Sequence, residues 1–271
     1  LFPLFTWMNR SYAAPPIAIS IIFGALLTKV GLYSIIRTYG LFYYESNFIK
    51  SYILILGAVS IIAGCIGTIY QKDLKQIVIF NIVISLGVMV CGTATLNTFG
   101  VKGALFYAVN DILLKAALFI VVGLIIYVSG VKYLQKCGLI NKYPLLGWTY
   151  FIIVLSLAGV PPFSGFYGKA LIIKGLVTNN NTFIAILVAL SGLVVFYSLI
   201  RIFLNVFYDN INKSLILKPL PKGVQIPLIA IVAKALIIGV STNLLDGFFD
   251  KGIQMVLNPQ HYIDLVLKKG A

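Results

Sequence analysis

Acid is scarce in this chain: seven Asp and Glu stand against 21 Lys and Arg among 271 residues, and charged residues of both signs make up only 10%. Soluble globular domains carry nearer a quarter, so a water-solvated fold is excluded. Histidine occurs once, and Cys65, Cys91 and Cys137 stand alone without a C-x-x-C pair. That leaves neither a zinc site, nor any other metal site, nor a disulfide framework, and the cysteines read as small core residues. His261, in the polar tail, reads as a solvated surface group. No nucleophile, base and orienter set occurs and no Gly-rich phosphate loop follows a strand, which excludes covalent catalysis and implies no cofactor. Alternating ten-residue strands are also lacking, so a transmembrane barrel is excluded. The net charge of +14 is scattered between apolar stretches instead of gathering on an aromatic-interleaved face, so nucleic acid is not an expected partner. Residues 1–7 lack the basic flank and cleavage site of a signal peptide, and the expectation is a truncated sequence.

What the chain has in abundance is apolar surface. Hydrophobic residues make up 60% of it and the mean hydropathy is +1.01. Several runs reach the roughly 20 residues that a helix needs to cross about 30 Å of hydrocarbon. Seven spans are expected at 15–36, 51–70, 76–96, 104–129, 145–177, 183–208 and 226–249, joined by short polar links such as Gln71-Lys72-Asp73 and Asn179-Asn180-Asn181. No link is long enough to form a soluble domain. The excess of Lys and Arg on the side of Arg10 points to that side as cytoplasmic.

The fifth span is too long for one straight crossing, and Ala158-Gly159-Val160-Pro161-Pro162-Phe163-Ser164-Gly165 cuts it in the middle. Tandem prolines remove two backbone donors and clash with the preceding turn, so a broken helix is expected there. Broken helices in transporters serve ion sites. A kink used only for packing is the alternative reading.

Lys29, Asp111, Lys115, Lys169 and Lys234 fall within the spans, where each charge costs at least about 2.5–3.5 kcal/mol to bury. Lys29 lies about 20 Å along a helix from Pro15, at 1.5 Å per residue, and is open to either snorkelling or function. Asp111 and Lys115 are four apart and expected to pair across one turn, either as a static bridge or as a relay in which Lys115 changes partner. Lys169 stands two turns past the Pro-Pro break, beside Gly165 and Gly168, where a desolvated lysine can trade protons. Lys234, near the start of the last span, and Lys174 and Arg201, within reach of an interface, are better read as snorkelling.

The segments Leu1-Phe2-Pro3-Leu4-Phe5-Thr6-Trp7-Met8, Arg10-Ser11-Tyr12-Ala13-Ala14-Pro15-Pro16, Phe23 to Tyr33 with Thr28-Lys29-Val30-Gly31 inside it, and Leu155 to Lys169 strongly resemble the D-type subunits of the Mrp/Mnh-type monovalent cation/proton antiporters of bacteria. The same superfamily holds the antiporter-like membrane subunits of respiratory complex I. This resemblance covers nearly the whole chain. It implies an all-α polytopic membrane protein in which residues 1–271 form a single membrane domain, helices eight to fourteen of a fourteen-helix subunit. Residues 1–12 would be the end of a preceding broken helix and its loop.

By the same resemblance, Lys29, Lys115 and Lys169 take the places of the family's lysines on helices eight, eleven and twelve, with Asp111 among them in a proton relay. Thr28, Asn81, Ser85, Asn110, Pro161, Pro162 and Ser164 are the supporting polar and helix-break residues. Family members often carry His where this chain has Asn110 or Asp111, so a carboxylate here is a departure that alters the relay's response to pH. The family's helix-five glutamate and helix-seven lysine are not in the sequence, so the segment alone is not expected to transport. The implied partners are the other subunits of a hetero-oligomeric antiporter, protons, Na⁺ or K⁺, and the lipid bilayer. A proton-translocating subunit of an NADH:quinone-type dehydrogenase is the alternative, because it would use the same lysines.

Overall fold

The computed structural model describes residues 1–43, 46–208 and 217–240, together with Gly247, Ile253, Val256 and Leu257. His261 and, within the expected last span, residues 241–246, 248 and 249 lie outside the described residues.

Every regular element among them is helical. In chain order these are α1 (Thr6–Ala13), α2 (Ile17–Ile22), a π-helical turn (Phe23–Leu27), α3 (Thr28–Phe42), α4 (Asn47–Tyr70), α5 (Leu74–Ala94), α6 (Thr98–Ser129), a 3₁₀ turn (Leu139–Asn141), α7 (Pro144–Ala158), α8 (Ser164–Thr178), α9 (Thr182–Ile202) and α10 (Lys222–Val240). A second π turn, Phe203–Phe207, extends α9. Five helices are long and apolar enough to cross a membrane: Ile17–Phe42, Asn47–Tyr70, Leu74–Ala94, Thr98–Ser129 and Thr182–Phe207.

Local chemistry sets the boundaries. Ser46 Oγ accepts from Ile49 N, Asp73 Oδ1 from Lys75 N and Gln76 N, and Asn97 Oδ1 from Gly100 N. Each covers amides that the first turn leaves without partners. The Asn97 cap starts α6 at Thr98, six residues before the apolar run suggests. Likewise α3 runs to Phe42, past the expected end at residue 36. The expected fifth span is two helices: α7 stops at Gly159, whose φ of 84° is the left-handed conformation that favours glycine, and α8 begins at Ser164.

α5 is the hub, enclosed along its length by α4, α6, α8 and α9, with α1 and α3 at its flanks. α4 and α9 turn Ile55, Ile62, Ile66, Leu190, Leu193 and Tyr197 outward, as a helix bathed in hydrocarbon does. α6 and α8 cross closely. A Cβ at Gly168 would lie 2.8 Å from Tyr107 Cβ and 3.0 Å from Tyr107 Cα, and one at Gly103 would lie 2.7 Å from Ile172 N. Only hydrogen fits between the two backbones there.

Two cations secure helix ends at the periphery. Arg201 on α9 donates from Nη1 to Ile69 O at 2.8 Å and from Nη2 to Gln71 O, closing the carboxyl end of α4. Lys75 donates to Ala13 O and Pro15 O, both at 3.0 Å, at the end of α1. The carboxyl end of a helix carries about half a negative charge, so both placements are favourable. Arg201 therefore caps a neighbour where snorkelling was expected. Lys174 and Lys234 are exposed, and Lys174 Nζ stands 3.8 Å over the Phe99 ring.

Candidate functional site

Lys29, Asp111, Lys115 and Lys169 are 7%, 0%, 1% and 6% exposed. None of the three lysines is placed to snorkel. They arise from α3, α6 and α8, and each is carried there for an identifiable reason.

Lys29 is the second residue after the π turn. A π turn holds one residue more than an α turn, so it re-aims every side chain after it. Lys29 Nζ meets Asp111 Oδ2 on α6 at 2.5 Å. Asp111 Oδ2 also accepts from Ser85 Oγ on α5 at 3.2 Å, while Asp111 Oδ1 is buried without a hydrogen-bond partner. The expected bridge from Asp111 to Lys115 across one turn is therefore not formed. Lys115 remains in the electrostatic field of Asp111 and Lys29, but the closest approach goes to the lysine from the facing helix. Lys115 Nζ has no hydrogen bond among the described residues.

Lys169 reaches back along α8 to the end of α7 and donates to Leu157 O at 3.0 Å and Ala158 O at 2.8 Å. Its Nζ lies 5.6 Å from the centre of the Tyr107 ring, and it feels Lys115, Asp111 and Cys65. Four groups from three helices thus form one electrostatically linked row: Lys29, Asp111, Lys115, Lys169.

Neutral polar side chains form two separate hydrogen-bonded clusters among the same helices. Ser164 Oγ donates to Asn110 Oδ1 and shares a hydrogen bond of 3.1 Å with Ser156 Oγ. Asn81 Nδ2 donates to Ile77 O and to Ser198 Oγ. Asn81 Oδ1 and Asn110 Nδ2 are buried without partners, positions at which internal polar atoms ordinarily hold water. Of the expected supporting residues, Ser85 bonds Asp111, and Asn81, Asn110 and Ser164 belong to these clusters. Thr28 does not, because its hydroxyl bonds Gly24 O within its own helix. Pro161 and Pro162 lie between α7 and α8, so the helix break leaves the carbonyls that Lys169 takes.

Ser156, Ser198 and Tyr107 escaped the sequence reading. The one signal for Ser198 is its seven-residue spacing from Ser191 on α9, where both are buried, a weak pattern in an apolar run.

Residues 1–194 match the family model described as NADH:quinone oxidoreductase/Mrp antiporter, TM. The D-type Na(+)/H(+) antiporter subunit of Bacillus subtilis (strain 168) is 40% identical over 276 residues, which cover 99% of this chain and 55% of that protein. Its counterpart in Alkalihalophilus pseudofirmus is 35% identical over 272 residues, again 99% and 55%. The chain thus spans about half the length of the curated relatives it matches. Among solved structures, a chain of the Mrp complex from Dietzia sp. DQ12-45-1b superimposes with a TM-score of 0.92 at 22% identity, over 98% of this chain and 58% of that one. A chain of respiratory complex I from Thermus thermophilus gives 0.84 at 23% identity, over 96% and 54%. At these identities the structural likeness is one of fold.

Proposed function

The chain belongs to the NADH:quinone oxidoreductase/Mrp antiporter transmembrane family, and on that premise we propose that it acts in a membrane subunit of a multisubunit monovalent cation/proton antiporter, exchanging Na⁺ or K⁺ for H⁺. It is a multi-pass membrane protein. In this reading α7 and α8 are the halves of one broken crossing and α10 is the last of seven. Residues 1–271 form one membrane domain, and 1–12, which hold all of α1 but Ala13, are the end of a preceding broken helix and its loop. The row of four buried ionisable groups carries the proposal. Packing has no need of three lysines that each cost about 2.5–3.5 kcal/mol to bury.

Protons move along the row by exchange of partners. Asp111 holds Lys29 through Oδ2 and keeps Oδ1 unpartnered. A proton arriving at Lys115 adds positive charge one turn away on the same helix, and Asp111 turns towards it. Lys29 then loses its counter-charge and gives up a proton in its turn, since an unpaired buried ammonium is disfavoured. Lys169, in the field of Lys115, is the next station towards α8. The relatives named as Na(+)/H(+) antiporter subunits support exchange of a cation for protons over a dehydrogenase role, and with it a part in pH and sodium homeostasis and partners among the other antiporter subunits.

The test is cation-driven proton movement in everted vesicles carrying the full-length subunit in its complex, read with a pH-gradient dye. Lys115→Ala and Lys169→Ala should each abolish it while immunoblots show the complex assembled. Full activity in either variant would remove the relay.

A further inference from the structure

Two hydrogen bonds tie neutral side chains of the interior into a line that ends on the charged row. Asn81 Nδ2 on α5 donates to Ser198 Oγ on α9 at 3.2 Å. Ser85 Oγ, one turn further along α5, donates to Asp111 Oδ2. Asn81 and Ser85 are four residues apart and share one face of their helix, as do Ser198 and Arg201, three apart on α9. Arg201 in turn reaches the end of α4 at Thr68 O, Ile69 O and Gln71 O. The line therefore runs from the end of α4, past Ser198, Asn81 and Ser85, to Asp111. Measured from Leu74, Asn81 lies about 10 Å into the protein and Ser85 about 16 Å, at 1.5 Å per residue.

Four buried polar atoms of residues on this line have no hydrogen-bond partner: Arg201 Nε, Thr68 Oγ1, Asn81 Oδ1 and Asp111 Oδ1. Internal polar atoms of this kind ordinarily hold water. The polarity is also one-sided. From Leu86 to Gly92, α5 offers no hydroxyl, amide or charge, so along this helix the line stops at the level of Asp111. Its other end opens on the Arg10 side, where α5 starts with Lys75 bonded to Ala13 O and Pro15 O.

We propose that this seam between α4, α5 and α9 is a water-lined leg that passes protons between Asp111 and the Arg10 side of the membrane, with Asn81 and Ser198 as the positioning residues that hold its waters in line. Neither side chain titrates. Each water accepts one proton and releases another to the next, so no bond is made or broken in the protein along the leg. Arg201 borders the mouth as a fixed charge and carries nothing, because a guanidinium does not release its proton. This inference rests on the antiporter reading and gives the charged row an outlet. Without one, Lys29, Asp111 and Lys115, at 7%, 0% and 1% exposure, are closed off from bulk water.

The experiment is the pH-gradient dye assay in everted vesicles carrying the full-length subunit in its complex, applied to a pair of variants of equal size. Ser198→Thr and Ser198→Val add the same bulk, and only threonine keeps the hydroxyl. Ser198→Val should slow proton movement about tenfold, the effect on a rate of losing one hydrogen-bonded station, with the Na⁺ concentration for half-maximal rate unchanged and immunoblots showing assembly. Ser198→Thr should keep most of the rate. Equal rates in the two variants, whether both high or both low, would overturn the proposal, since polarity would then not be what matters. Should neither variant assemble, Asn81→Leu against Asn81→Ser decides in the same way: loss in leucine alone supports the leg, and equal rates overturn it. Lys115→Ala separates this idea from the relay. Abolished movement in Lys115→Ala with equal rates in the Ser198 pair would keep the relay and remove the leg, whereas full movement in Lys115→Ala with loss in Ser198→Val alone would do the reverse.

Discussion

Lys29 and Asp111 lie 82 positions apart, on helices that face each other, and meet at 2.5 Å, while Lys115, one turn from Asp111, does not share the contact. Removing one member of such a pair leaves the other charged and unaccompanied in a low-dielectric interior, at a cost of about 3–5 kcal/mol. Asp111→Asn should therefore lower the thermal midpoint of the assembled complex markedly. The double change Lys29→Met with Asp111→Asn should recover most of the loss. Strictly additive losses in a double-mutant cycle would show that the two residues are not partners.

Arg201 is expected to matter for stability and not for proton movement. Arg201→Ala strips three donors from Thr68 O, Ile69 O and Gln71 O, and charged hydrogen bonds of this kind contribute about 1.5–3 kcal/mol. Earlier thermal unfolding, or faster proteolysis at the α4 end, should follow, with per-complex transport retained by whatever assembles. An unchanged melting curve would contradict the capping role.

Two glycine-to-alanine changes make an internal comparison. At Gly168 the new Cβ meets the backbone of Tyr107 at 3.0 Å, so Gly168→Ala should push α8 off α6 and reduce both assembly and transport. At Gly31 nothing lies within 4 Å. There the substitution should be tolerated and even stabilise by about 0.5–1 kcal/mol, the helix preference of alanine. Blotting and thermal melting of the two variants side by side decide the matter.

Cys137, in the segment between α6 and α7, is buried, and burial raises its thiol pKa. A raised pKa means less thiolate at any given pH, and the thiolate is the nucleophile. Maleimide should thus label Cys137 more slowly in the folded complex than after denaturation, and the difference should shrink as the pH is raised. Equal rates in both states would contradict the enclosed position.

The residues that cost most to bury were legible in the sequence, because a lysine within an apolar run stands out at any register. So was a stop to the helical ladder between Ala158 and Ser164, because Pro161 and Pro162 lack the donors to continue it. The partner of Asp111 was not legible. Spacing along one helix favours Lys115, and only the packing of α2 and the π turn on α6 brings Lys29 closer. Arg201 was misjudged for a related reason: a cation near a span end looks alike whether it finds water or a neighbouring helix terminus. The early start of α6 was hidden because the polarity of Asn97 and Thr98 masked their capping chemistry.

The π turn at Phe23–Leu27 has a consequence for how this stretch is compared with others. One surplus residue in a rod that advances about 100° per residue puts the two parts out of phase. Before the turn, the phase is set by close fit, with Ile17 against Gly123 on α6. After it, the phase is set by charge, with Lys29 aimed at Asp111. An alignment that slips by one place inside Phe23–Leu27 would leave every apolar position plausibly matched and still carry the lysine to the wrong side of its helix.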